Sequence, residues 1–168
     1  MRRRLWLVLV FSVALATVMA SVPTAASDPP TPAGCTPGYW KQATHFGNWQ
    51  PPYDPSDKFD RYFDNAFPGM TLRQVLRQPG RGLRALGRHA VAGLLNAALF
   101  TGPADPGNNV YKVDLLKENG TEPWEVVVFF NRAFPGRRAR YVKWKHFFQD
   151  ANRAGCPLVD VVGSPSSS

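Results

Sequence analysis

The stretch GCTPGYWKQATHFGNWQPPY, Gly34 to Tyr53, gathers side chains well suited to holding a ligand. Tyr39, Trp40, Phe46, Trp49 and Tyr53 offer flat apolar faces that can stack on the C–H-rich faces of sugar rings. Lys41, Gln42, His45 and Asn48 lie among them and can bond hydroxyls. The same residues fit a second role, as cover for a buried helix, with each N–H or O–H kept at the rim. Cys35 heads the segment and favours cover for most of the rings. Trp49, between Gly47-Asn48 and Pro51-Pro52, is the one expected to stay exposed.

A second group lies near the C-terminus. Arg132, Arg137, Arg138, Arg140, Lys143 and Lys145, interleaved with Tyr141 and Trp144, have the make-up of an electrostatic patch with stacking groups. The plain alternative is a solvated helix face. His45, His89 and His146 have no metal-ligand spacing to one another, so no metal site is expected. His89 and Asn96 fall about 20° apart on a helical wheel, opposite the main apolar stripe. Buried there, both must be hydrogen-bonded, and they are expected to orient the Cys35–Trp40 turn. Asp54, Asp57, Asp60 and Asp64 lack the calcium-loop pattern. G-x-S-x-G, H-E-x-x-H and P-loop signatures are absent, and the three glutamates, Glu118, Glu122 and Glu125, lie near a helix end or start. No catalytic residue and no cofactor are expected.

These groups must be positioned by a small exported domain. Arg2-Arg3-Arg4 followed by the uncharged run Leu5–Val18 reads as a signal peptide over residues 1–20, with a second cleavage option after residue 26. A retained anchor is the alternative. Residues 21–33 read as a linker, 34–158 as one domain and 159–168 as a disordered tail. Losing three arginines lowers the formal charge from +8 to +5, 17 Lys+Arg against 12 Asp+Glu. That balance and export speak against nucleic acid and for an anionic or sugar polymer of the envelope. No membrane span is expected after signal removal. The two cysteines, Cys35 and Cys156, stand at the two ends of the domain and are expected to pair, since disulfides persist outside the cell. Two free thiols are the alternative.

Between the cysteines the pattern is helical. Asp54-Pro55-Ser56-Asp57 resembles a helix start, with Phe59, Tyr62 and Phe63 following at helical spacing. Thr71-Leu72-Arg73-Gln74 has capping-box form. Leu83–Phe100 is the strongest segment, apolar on nearly every side, and should be the central helix. Gly87 and Gly93 would let neighbours approach it closely. Val110–Asn119 is expected to be helical. Val126–Phe130 has strand composition, but Thr121 as cap, Pro123, Glu122 and Glu125 favour a helix through Phe134. A last helix is expected over Arg138–Ala154, with Gly155 after its end. The fold class is therefore all-α, an irregular bundle of five to six helices with one disulfide joining the domain ends.

Three separated motifs, GCTPGYWK, GRHAVAGLLNAA and ANRAGCPL, resemble a set of exported bacterial modules with CTPGYWK, RHAVAxLLNAA and GCPL elements in that order. The resemblance covers Gly34–Leu158 and implies compartment and architecture. No activity is established for these modules, and it carries over no catalytic residue. The expected function is a non-catalytic envelope or extracellular module that recognises a polymer or partner through aromatic and basic residues. A small secreted hydrolase of wall or sugar polymers and a purely structural surface component are the alternatives.

Overall fold

The computed structural model describes residues 29–105, 107–113 and 119–158. Residues 1–20, read as a signal peptide, residues 21–28 of the expected linker and residues 159–168, read as a tail, lie outside the described residues. Among them are five α-helices: α1 (Pro37–Trp40), α2 (Leu72–Leu76), α3 (Leu83–Phe100), α4 (Pro123–Ala133) and α5 (Arg138–Ala151). Two 3-10 turns, Ala43–Asn48 and Phe59–Arg61, and a pair of two-residue strands, β1 (Thr31–Pro32) and β2 (Asn109–Val110), complete the description. The fold is all-α in its substance.

α3 is the hub. It packs against α1, α2, α4 and α5, and Leu86 and every residue from Ala90 to Ala97 on it are buried. A helix sheltered on all sides needs little amphipathicity, which is why its sequence is apolar nearly all round. Two of its glycines admit neighbours that a Cβ would exclude: an added carbon at Gly87 would lie 2.4 Å from the Phe67 ring, and one at Gly93 2.7 Å from the Tyr111 hydroxyl. Beside α3, Phe59, Phe63, Phe67 and Phe130 pack edge to face and in offset stacks, with centroids 4.5–5.3 Å apart. Thr71 and Gln74 close the expected capping box at the head of α2.

Cys35 and Cys156 are joined, closing a loop across 121 positions. Chain-entropy bookkeeping assigns such a loop about 4–5 kcal/mol. The backbone adds to the same junction, because Gly34 N–H donates to the Gly155 carbonyl at 2.7 Å. β1 pairs in parallel with β2, Thr31 opposite Asn109 and Pro32 opposite Val110. Ordered pairing thus begins inside the stretch read as linker.

Three expectations need correction. Residues 54–63 do not form an α-helix. Asp54 accepts from the Ser56 N–H at 2.8 Å, and Asp57 from the Asp54 N–H at 2.9 Å, so the acids close local turns. Phe59 N–H then donates to Met70 O and Leu72 N–H to Asp57 O, which diverts backbone groups from a helical ladder. Val110 lies in a strand rather than a helix: its carbonyl accepts from Ala33 N–H, and that of Tyr111 from Thr121 N–H. Of that expected helix, residues 114–118 lie outside the described residues. Finally, α5 ends at Ala151, three residues early, with the buried Asn152 as its C-cap. In α4 the helix forms as the caps imply, although Glu122, not Thr121, is the capping position; Thr121 is buried, its hydroxyl accepting from Val113 N–H.

Candidate functional site

Asn96, in the middle of α3, is fully buried. Its Oδ1 accepts from the Cys35 N–H at 2.8 Å and the Trp40 Nε1–H at 2.9 Å. Its Nδ2 donates to the Cys35 carbonyl at 2.9 Å and to Asn152 Oδ1 at 2.8 Å. All four hydrogen-bonding capacities of the amide are used. Asn152 extends the network: Oδ1 also accepts from the Tyr111 hydroxyl at 2.8 Å, and Nδ2 donates to the His89 carbonyl at 2.9 Å and faces His89 Nδ1 at 3.4 Å. His89 and Asn96 are therefore linked through Asn152 rather than to each other, and His89 is only half-buried. Burial pushes the Tyr111 hydroxyl well above its usual pKa, so it is a fixed donor.

This network determines the fate of the opening aromatics. Trp40 is 0% exposed, Tyr39 8% and Trp49 7%. Their ring faces are not available as a sugar platform, and Trp49 is not the exposed member. The cause is visible in the bonds: Asn96 holds the Cys35 backbone and the Trp40 indole against α3, and the disulfide fixes the head of the segment. His45 is half-buried, stacked on Tyr39 with centroids 3.8 Å apart and its Nδ1 2.9 Å from the Tyr39 carbonyl. The Tyr39 hydroxyl accepts from Asn48 at 2.6 Å. Among the described residues the Trp49 indole N–H has no partner. Tyr39, Trp40 and Trp49 are cover, while Phe46 and Tyr53 are half-buried.

The C-terminal group behaves differently. Arg137, at the N-cap of α5, and Arg138, Arg140 and Lys143 on its first half are exposed. Trp144 is half-buried and stacks on Phe129 of α4, centroids 5.3 Å apart and planes at 23°. Phe147, 45% exposed, stands 5.6 Å from Trp144 with its plane tilted by 49°. Together with Val113, Ala151, Lys112 and Asp150 these rings line a groove of about 660 Å³. That size and mix, mostly apolar walls with a few polar groups, is typical of ligand sites. The elements that build it are set locally. Glu125 accepts from the Glu122 N–H at 2.9 Å to start α4, and the Tyr141 hydroxyl accepts from Gly136 N–H at 3.0 Å to shape the elbow into α5.

Phe129, Phe147, Lys112 and Asp150 escaped the sequence reading. A signal for the two phenylalanines exists. Each helix carries a Phe-Phe pair, Phe129-Phe130 and Phe147-Phe148, and consecutive helical residues point about 100° apart. Only one of each pair can enter the core. Phe130 and Phe148 do, at 0% exposure, and their neighbours are left at the rim.

A larger concavity of about 720 Å³ is lined by Phe46, Asp54, Thr71, Arg73, Gln74 and Arg77. Its carboxylate has no features of a proton donor. Hydrogen bonds from Ser56 hold Asp54 below the usual carboxylate range. Asp57 is likewise lowered: burial opposes ionisation, but the Tyr62 hydroxyl, the Asp54 N–H and Arg61 outweigh it. Arg61 lies 2.7 Å from Asp57. Among the described residues no three His, Cys, Asp or Glu side chains converge to hold a metal, and no helix is long and apolar enough to cross a membrane. No family model matches the chain, and no curated protein or solved structure does.

Proposed function

We propose that this protein is an exported, non-catalytic recognition module that binds a sugar-containing envelope polymer in the groove between α4 and α5. The observation that carries the reading is the run Phe129–Trp144–Phe147, three rings in sequence along an open groove rather than under it. An indole and a phenyl face suit the apolar face of a sugar ring, while Lys112 and Asp150 in the lining suit its hydroxyls. The exposed cations Arg137, at the cap of α5, and Arg140 and Lys143 on it would attract a polymer carrying negative charge. A disulfide is compatible with an extracellular location, and the basic-apolar N-terminus and the motif resemblance favour export.

The test is titration of the purified domain with solubilised wall polysaccharide, followed by tryptophan fluorescence and calorimetry. Trp144→Ala should weaken binding about thirtyfold, the ordinary effect of removing a central aromatic anchor. Binding that survives both Trp144→Ala and Phe147→Ala unchanged would remove the groove from the account.

A further inference from the structure

α5 has a second working face. Arg138, Val142, Lys145 and Gln149 fall on the side of the helical wheel opposite Trp144, Phe147 and Ala151. They face the start of α3 across a cleft of about 370 Å³ whose other walls include Arg81, Arg88 and His89. Among the described residues no carboxylate lines this cleft, and the one ion pair, Arg61–Asp57, involves none of its residues. Four permanent cations therefore converge without an acid. Such crowding costs energy through like-charge repulsion unless an anion enters.

The parts are individually placed. Arg88 donates to the carbonyls of Gln78 and Gly80, which fixes its guanidinium at the cleft wall. Arg81 and Arg138 are exposed, with no carboxylate partner among the described residues. Asn152 donates to the His89 carbonyl and sets its amide against His89 Nδ1, so the neutral ring keeps its proton on Nε2 as a donor. α3, an 18-residue helix, starts here at Gly82 with no capping side chain and no acid in its first turn, so its free N–H groups add partial positive charge to the same cleft.

We propose that this cleft binds a phosphate-class oxyanion, gripped by the Arg81 and Arg138 guanidinium forks and by Lys145, with His89 as a neutral hydrogen-bond donor. A guanidinium fork matches two phosphate oxygens at once. Free phosphate compounds, phosphodiester polymers and phospholipid headgroups share that chemistry. The site is independent of the aromatic groove, since no residue lines both.

His89 reports occupancy. Burial first, then the charges of Lys145, Arg88, Arg153 and His146, push its pKa down to about 4. A bound anion opposes the cations, so the pKa must rise on binding. The experiment follows the His89 ring by NMR through a pH titration, with and without inorganic pyrophosphate at constant ionic strength. The expected result is a pKa raised by about one unit with pyrophosphate. Affinity should fall at least about tenfold in the Arg138→Gln/Lys145→Gln variant, with its unfolding midpoint unchanged. Sedimentation with phosphatidylglycerol vesicles, competed by pyrophosphate, would assign a lipid headgroup; pyrophosphate binding without sedimentation would assign a soluble or polymeric phosphate. An unmoved His89 pKa, or a double variant that binds pyrophosphate as well as the parent, overturns the proposal.

Discussion

Two aromatic regions of similar composition have opposite fates. Tyr39, Trp40 and Trp49 are sealed beneath the surface, whereas Trp144 and Phe147 stand along an open groove. Ring chemistry does not separate them, because both sets hold tryptophan and both have basic neighbours. The difference lies in what holds the backbone. The first region is tied by a disulfide at its head and by three hydrogen bonds that Asn96 makes with Cys35 and Trp40, two accepted and one donated. The second rides on an ordinary helix whose core-facing residue is Phe148, one step along from Phe147. Whether a ring is sealed or left at an open groove is thus decided by its neighbours' bonds rather than by the ring.

The sharpest way to break this contrast is a pair of truncations. Trp40→Ala should cost about 3–5 kcal/mol in denaturant unfolding, as for large buried aromatics. Trp144→Ala should cost about 1 kcal/mol or less, the behaviour of a partly exposed side chain. Equal costs would mean that Trp144 is core after all. Asn96→Ala comes next. It strands the Cys35 N–H and carbonyl and the Trp40 N–H, leaves Asn152 Oδ1 with the Tyr111 hydroxyl alone, and should cost about 3 kcal/mol, with Trp40 becoming accessible to a fluorescence quencher. A stable variant with a shielded Trp40 would show that the disulfide alone seals the segment.

A further effect is in pH. His89 is neutral when folded, with a pKa near 4, against an ordinary value of 6.5. Between those values the unfolded chain binds more protons, so stability must rise with pH and be lost as pH falls from 6.5 towards 4. The change should be about 2–3 kcal/mol. His89→Gln should flatten the slope over that window, and an undiminished slope would place the titration elsewhere.

Much of the frame was legible because its signals are local or covalent. α3 runs from Leu83 to Phe100 as its pattern implies, the Thr71–Gln74 box closes, and Cys35 meets Cys156. The failures share a cause: in each, a distant partner overrode a local preference. Asp54–Phe63 has helical spacing, yet its backbone bonds reach residues 70–72. Val110 suits a helix, yet it pairs with a segment some eighty positions away. Trp49 sits among turn residues, yet it is covered. At the site, Trp144 and the flanking cations could be named from their spacing. Lys112 and Asp150 could not, since nothing local places a residue after β2 beside the end of α5.

The junction of Gly34, Cys35, Gly155 and Cys156 has a mechanical consequence. The chain enters and leaves the domain at one spot, bridged by a backbone bond and a covalent one. Tension applied between whatever precedes residue 34 and whatever follows residue 156 would pass from sulfur to sulfur. The helices enclosed between them would carry none of that load, so the domain would keep its shape under a pull that would unravel an open chain.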